Sequence, residues 1–480
     1  VATLRTPRTH TALTRRIFGA IGVFGSVQSL SIVCAVVRAK LGAIWIGTSG
    51  TGLISLFNST LSMMQSTSQL GISSTAVREI SITPDNESRA ATARLVRSMA
   101  LLLGMAGMLA TAVLAPLLSQ WTFGDFSQTA SMAALAPVVL LSVLTAGEHA
   151  IMQSFGRLAD LARSGATGAV AGVILTVPLL YFFRLDAVVP IIIIYGCTSY
   201  AAALRWAVRL PAGRRPTIAE TWRHGRGMLS LGLYMTGGSI VATVAAYVFS
   251  TFLNRSYSTE TVGIFQAGYT VANSYVGILF TASSQEFYPR ISSAVASPWR
   301  TSTMISHQAW VLQSLLLPLS TLLICGCGIV VRILYSEPFV PAVPFICVAM
   351  LGMPLRALSW NMTFAILARG AGGAYLAIET ASAVFYLCMN LVLFSTCGFA
   401  GAGAAMGAMY ALDTAIAGYV LRKRYGIGLS PKIWRLTAVS LATIGAVIAG
   451  AYAAPVFCLC IALPLTSATC LILLRKRKNC

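Results

Sequence analysis

Five ionisable side chains interrupt the long apolar runs of this 480-residue chain: Glu148 and His149, Arg356, Glu379 and Asp413. A charge inside hydrocarbon is costly, so such groups must face a polar cavity or one another. Arg356 cannot give up its proton and presents a planar fork of N–H donors, which suits an anionic headgroup; the alternative is an Arg–acid pair that pins neighbouring helices. Asp413, Glu379 and Glu148 can exchange a proton or hold a cation, the chemistry of proton or sodium coupling. Glu148 and Glu379 lie about five residues from the ends of their runs, where snorkelling to water is an equally good reading.

The rest of the reactive inventory excludes most enzymes. The four histidines (His10, His149, His224, His307) are scattered, so no His-based metal or acid/base cluster is expected. The 13 acids contain no D-x-x-D pair of the kind that holds Mg²⁺ on lipid pyrophosphates. Most of the 11 cysteines sit inside apolar runs, where Cys behaves as a small hydrophobe, and Cys325-Gly326-Cys327 reads as packing. No cofactor and no enzymatic activity are expected.

The elements that must position these groups are helices. The chain is 56% hydrophobic and 10% charged, with a mean hydropathy of +0.77, which describes an all-α polytopic membrane protein. Fourteen runs are long enough to span: 17–37, 43–66, 98–119, 130–152, 164–183, 187–204, 228–253, 263–285, 309–331, 339–366, 374–396, 399–421, 434–453 and 455–474. Each is near the roughly 20 residues that a core of about 30 Å requires. The stretch 434–474 as one helix would be about 60 Å long, so it must turn back, with Pro455 as the turn. The run 17–37 lacks an A-x-A-like cleavage site and is read as retained.

Of the 34 Lys and Arg residues, 28 fall in the tails and every second gap, 5 in the alternate gaps, and Arg356 alone inside a run. By the positive-inside rule both termini are cytoplasmic. The net charge of +21 therefore lies in short loops facing anionic lipid heads, and no nucleic-acid partner is expected. At the span ends, Arg38 and Lys40 on one side and Arg78, Arg97, Arg290 and Arg369 on the other either ring the mouths of an anion path or merely fix topology.

A six-then-eight division of spans follows: an N-terminal six-helix lobe (1–210), a cytoplasmic linker (211–227) carrying Pro211, Gly213, Arg214, Arg215 and Pro216, a C-terminal six-helix lobe (228–425), and a further helix pair with a basic tail (432–480). The lobes read as a weak parallel repeat. Gly52-Leu53-Ile54 and Gly263-Ile264-Phe265 open spans two and eight, and Tyr195 and Tyr410 each precede a terminal Arg by 14 residues. Prolines interrupt several spans, Pro116, Pro137, Pro178, Pro318, Pro344 and Pro354 among them.

Ordered motifs add a resemblance. Lys40-Leu41-Gly42, Gly50-Thr51-Gly52-Leu53, Gln69-Leu70-Gly71-Ile72 and Ala76-Val77-Arg78-Glu79, then Val262 to Tyr269, Phe287-Tyr288-Pro289-Arg290-Ile291 and Leu334-Tyr335-Ser336, resemble the polysaccharide-transporter flippases of the O-antigen (Wzx) type. That family lies within the multidrug/oligosaccharidyl-lipid/polysaccharide exporter superfamily. The resemblance implies two six-helix lobes in a V around a central cavity that opens alternately to the two sides. It further implies an undecaprenyl-pyrophosphate-linked oligosaccharide as cargo, moved across a bacterial inner membrane. The partners implied are membrane lipids, a proton or sodium gradient, and a polysaccharide polymerase with its chain-length machinery. Within this frame Arg356, Arg38, Lys40, Arg78 and Arg290 are the candidate substrate contacts, and Asp413, Glu379 and Glu148 the candidate coupling acids. A multidrug or cation exporter, a peptidoglycan-precursor flippase and a membrane-integral glycan-processing enzyme are the competing readings.

Overall fold

The structure, a computed structural model, describes residues 30, 33–83, 85–208, 216–277, 279, 280, 283, 287, 291 and 297–453. Most of the expected span 17–37, the expected span 455–474 with its turn at Pro455, linker residues 209–215 and Arg290 lie outside them.

The described residues form helices and turns, with no strand among them. In chain order they are α1 (33–45), α2 (Gly47–Gln69), α3 (Ile72–Ile82), α4 (Asn86–Phe123), α5 (Thr129–Ala134), α6 (Ala136–Ser154), α7 (Leu158–Phe183) and α8 (Val188–Trp206). After these come α9 (Ile218–Ser256), α10 (Thr259–Tyr269) with a π-helical continuation (Thr270–Tyr275), α11 (Pro298–Leu334), α12 (Val343–Leu351), α13 (Met353–Ala368), α14 (Gly372–Tyr425) and α15 (Pro431–Ala453).

Among the described residues, seven helices are long and apolar enough to cross a membrane, or eight when the bent pair Glu337–Leu351 and Met353–Ala368 counts as one span. Two of the seven hold a pair of expected spans each. Leu158–Trp206 would be about 73 Å if straight, but it reverses at Arg184, whose φ of 46° is left-handed, and α7 packs back along α8. Gly372–Tyr425 reverses at Gly398 (φ 58°, ψ −138°). The expected second span maps to α2, whose Ser and Thr content keeps it out of the seven. Val113, Ile174, Phe182 and Ile333 are more than half exposed, as helices that face lipid require.

The helix ends follow local rules. Asp85 caps α4 by accepting from the Ser88 N–H at 3.0 Å. Thr217 and Glu220 form a reciprocal capping box, with Thr217 N–H donating to Glu220 Oε2 at 2.8 Å and Glu220 N–H to Thr217 Oγ1 at 3.3 Å. Residues 218–227, part of the expected linker, therefore begin α9. At the C-terminal end of α14, Gly426 takes a left-handed conformation and its N–H donates to Arg422 O at 3.1 Å, the αL form of helix closure. Pro137, Pro344 and Pro354 stand in the first turns of α6, α12 and α13, where Pro costs no hydrogen bond, whereas Pro116, Pro178 and Pro318 lie inside α4, α7 and α11.

Two compact units form. One holds residues up to Gly50 with Phe57–Thr236, the other Thr51–Leu56 with Gly237 onward. The core of the first packs Ala76, Ile80, Val96, Ile151 and Met152 from α3, α4 and α6. The core of the second gathers Ile305, Leu358, Met362, Ile378, Leu421 and Ile433 from α11, α13, α14 and α15. Gly52 lies in the second unit against α10, and a Cβ there would stand 1.8 Å from Thr259 O and 3.1 Å from Gly263 N. The two glycines that open the repeated spans thus mark one backbone-to-backbone approach.

Candidate functional site

Arg356 owes its place to a break. The expected span 339–366 is not one straight helix: α12 ends at Leu351, α13 starts at Met353, and the two are bent by 52°. Gly352 at the break meets Gly407 of α14, where a Cβ would stand 2.8 Å from the Gly407 Cα. Side chains then fix the first turn of α13. Gln313 Nε2 donates to Pro354 O at 3.2 Å and to Thr437 Oγ1 at 2.8 Å. Thr414 Oγ1 lies 2.7 Å from Tyr410 O and 3.2 Å from Leu355 O, tying the residue before Arg356 to the residue after Asp413.

So held, the Arg356 guanidinium lies over two aromatic rings, 4.4 Å from the Phe280 centroid and 5.5 Å from that of Tyr410. Stacking satisfies the face of the cation and leaves its N–H groups to find partners in the ring plane. Arg356 Nη1 is buried without a hydrogen-bond partner, and no described carboxylate pairs with Arg356. The Arg–acid pin considered above is absent among the described residues.

Asp413 and Glu379 are brought together on the two halves of α14. Ser382 Oγ donates to Asp413 Oδ1, the Tyr375 hydroxyl adjoins Glu379, and the two carboxylates lie within electrostatic reach of each other. Tyr410 stands between them and Arg356, one helical turn from Asp413 on the same helix. Both acids keep acceptor capacity that these contacts do not use. Tyr269, which accepts a hydrogen bond from Asn273 Nδ2 at 2.7 Å, adjoins Arg356 from the π-helical end of α10, and such irregular turns recur at functional sites.

Glu148 belongs to the other unit and has a different setting. It is 7% exposed and forms a bidentate pair with Arg97, at 2.6 Å from Nε and 2.8 Å from Nη2. Arg97 Nη2 also donates to Val208 O at 3.0 Å, so α4, α6 and the end of α8 are tied together. Neither snorkelling nor open water describes this carboxylate. In the same unit Arg38 stacks on Tyr195 at 4.5 Å, Lys40 lies on α1, and Arg78 is half exposed beside Glu79 at 3.6 Å. The two tyrosines matched by the repeat, Tyr195 and Tyr410, both lie under an arginine. A cleft of about 480 Å³ at the α7–α8 reversal is lined by Trp45, Phe182, Phe183, Arg184 and Asp186, among others, a composition usual for a membrane interface.

Sequence reasoning missed Phe280, Tyr375 and Ser382. The signal was available for two of them: Tyr375 and Ser382 recur with Glu379 at helical spacing along one face of an otherwise apolar run. Phe280 gives no such signal, because a ring under a cation reads locally as any core aromatic.

A family model described as Polysaccharide biosynthesis protein matches residues 46–344. No curated protein sequence matches the chain. Among solved structures, the fold is similar to the lipid II flippase MurJ in an inward closed conformation, with a TM-score of 0.67 and 11% identity over 94% of this chain and 99% of that one. It is also similar to an inward-facing MATE-family multidrug resistance transporter of the MOP superfamily, with a TM-score of 0.66 and 14% identity over 88% of this chain and 99% of that one. The MATE multidrug transporter DinF-BH, solved as a complex, gives a TM-score of 0.62 and 15% identity over 84% of this chain and 96% of that one. These likenesses show the fold, an all-α multi-pass membrane architecture of the kind that the resemblance implied. With the family model matching more than half of its length, the chain belongs to the polysaccharide biosynthesis protein family.

Proposed function

We propose that this protein is a flippase that carries an undecaprenyl-pyrophosphate-linked oligosaccharide, an O-antigen or related surface polysaccharide repeat unit, across the bacterial inner membrane by alternating access, with both termini cytoplasmic. The observation that carries this reading is Arg356: a permanent cation inside the membrane-embedded part of the chain, ring-stacked, with Nη1 on its N–H edge buried and unpartnered and no described acid paired with it. A pyrophosphate supplies the oxygens that this edge lacks, in the bidentate geometry that guanidinium favours. Membership of a polysaccharide biosynthesis family and likeness to a lipid II flippase support the cargo class.

In this reading Asp413 and Glu379 couple the cycle to a proton or sodium gradient, and Arg38, Lys40, Arg78 and Arg290 line the path of the anionic head. Glu148, already held by Arg97, serves to hold α4 and α6 together. The protein acts as a transporter and makes or breaks no covalent bond in its cargo.

The acids and the likeness to MATE transporters favour a second reading, a multidrug or cation exporter. Arg356 weighs against it, since a guanidinium without an acid partner repels a cationic drug. Deletion of the gene separates the two: lipid-linked repeat units trapped on the cytoplasmic leaflet support the flippase, and normal surface glycan in the deletant, with no redundant flippase in the strain, sinks it.

A further inference from the structure

A polar column runs inside the second unit. Tyr375, Glu379, Ser382, Tyr386 and Asn390 occupy one face of the first half of α14 over about 22 Å, most of the hydrocarbon thickness. Its lower part is accounted for. Glu379 adjoins Tyr375 and packs against Gly238 of α9, and Ser382 donates to Asp413. Tyr386 adjoins Tyr269 of α10 and Tyr410 of the second half of α14. Beyond that the hydrogen bonding is incomplete. The Tyr386 hydroxyl adjoins the Asn390 side chain, yet it and Asn390 Oδ1 are both buried without a hydrogen-bond partner; Asn390 is 0% exposed and its Nδ2 donates to Tyr386 O at 2.8 Å.

Orphaned polar atoms in a membrane interior are expensive, and a buried water satisfies them where two or more polar groups line one site. Here the orphans are one helical turn apart on the face that leads to Asp413. We propose that Tyr386 and Asn390 hold ordered water that relays a proton to the Asp413 carboxylate, which makes both of them positioning residues for coupling. This rests on Asp413 being a coupling acid. A proton on the water held between Asn390 and Tyr386 adds to the Tyr386 oxygen, whose own hydroxyl proton leaves to the next water. The hydroxyl of Tyr410, one turn from Asp413, relays in the same way, and the carboxylate closes the sequence as a carboxylic acid with no net redox change. Hydroxyls suit this because each both donates and accepts, whereas sodium needs several converging oxygens and the column offers two orphans. Among the described residues, the charged or titratable groups that face Asp413 are Glu379, Tyr375 and Tyr410 on α14, Arg356 on α13 through Tyr410, and Tyr269 on α10 through Tyr410.

The test is flipping of a fluorescent undecaprenyl-pyrophosphate oligosaccharide by the full-length protein in liposomes, with and without an imposed pH gradient. Tyr386→Phe keeps the ring and Asn390→Leu the volume. Each is expected to cut the acceleration by the gradient about tenfold while flipping without a gradient is unchanged, and Asn390→Ser, which leaves an oxygen and room for water, restores it. A wild-type response in both Tyr386→Phe and Asn390→Leu, or failure of Asn390→Ser to rescue a folded protein, overturns the route while Asp413 stands. If Asp413→Asn keeps the full response, or the wild type answers to sodium and not to protons, the coupling reading fails first and the route with it.

Discussion

Replacing Arg356 separates substrate recognition from packing. In the wild type its guanidinium is stacked on Phe280 and Tyr410 and leaves Nη1 without a partner, so what it contributes to folding is small. Two cation–π contacts contribute about 1–3 kcal/mol together, and an unsatisfied buried N–H costs about 1–3 kcal/mol, so the two offset. Arg356→Gln should therefore leave thermal unfolding within about 1 kcal/mol of wild type. Bound pyrophosphate changes the balance, because each charge-assisted hydrogen bond adds about 1.5–3 kcal/mol. Losing two of them, discounted for the partial exposure of the site, amounts to about 3–4 kcal/mol, or roughly 10²- to 10³-fold in apparent affinity. Arg356→Lys keeps the charge but loses the fork and the flat stacking surface, and should fall between, about 10-fold down. The assay is flipping of the fluorescent lipid-linked oligosaccharide in liposomes as a function of its concentration, alongside thermal unfolding of the same preparations. Equal apparent affinity in wild type and a folded Arg356→Gln would refute the anion-anchor argument. Efflux of a cationic dye that rises in Arg356→Gln would favour the exporter reading.

Other expectations follow from the remaining contacts. Arg97→Ala and Glu148→Ala should each destabilise the protein by about 2–4 kcal/mol, the lower part of what stranding a buried charge costs, because Arg97 is one-third exposed; a double substitution that costs as much as the sum of the singles would show that the two do not act as a pair. Gly52→Ala, whose Cβ would stand 1.8 Å from Thr259 O, should cost about 3 kcal/mol or more or prevent folding, measured by thermal unfolding in detergent. At the N-terminus of α4 the Ser88 donors hold the Asp85 carboxyl below the usual carboxylate range. A depressed value means that the stability from this cap is present above the unfolded-state value and fades as pH falls through the folded one. Asp85→Asn should flatten that acid-side loss in a pH-dependent unfolding series, and an unchanged slope would show that the cap is not coupled to titration.

Much of this architecture is legible in residue type and spacing. Apolar run length and the alternating basic gaps specify a multi-pass helical protein because hydrocarbon admits no unpaired backbone, and the described helices fall where those runs are. Glycines 52 and 263, found as openers of repeated spans, meet at one backbone approach. Even the capping box at Thr217 and Glu220 was present in the sequence, although the surrounding Pro, Gly and Arg residues read as a linker. The in-span charges were equally visible as a set of five.

Which of those charges are free is a different kind of fact. Glu148 and Asp413 are the same chemistry in the same kind of run, and nothing local tells that Arg97 reaches the one while Ser382 and Glu379 adjoin the other. The break at Gly352 follows no single residue; it depends on Gly407 lying across it and on Gln313 and Thr414 holding the turn beyond. The sequence by itself determined that the chain is helical and multi-pass and which charges had to be explained, because propensity and hydropathy act over a few residues. Only the tertiary structure decided that Arg356 lies stacked, with no acid paired to it among the described residues, while Glu148 is paired, because pairing depends on side chains 51 or more residues apart meeting within hydrogen-bond distance.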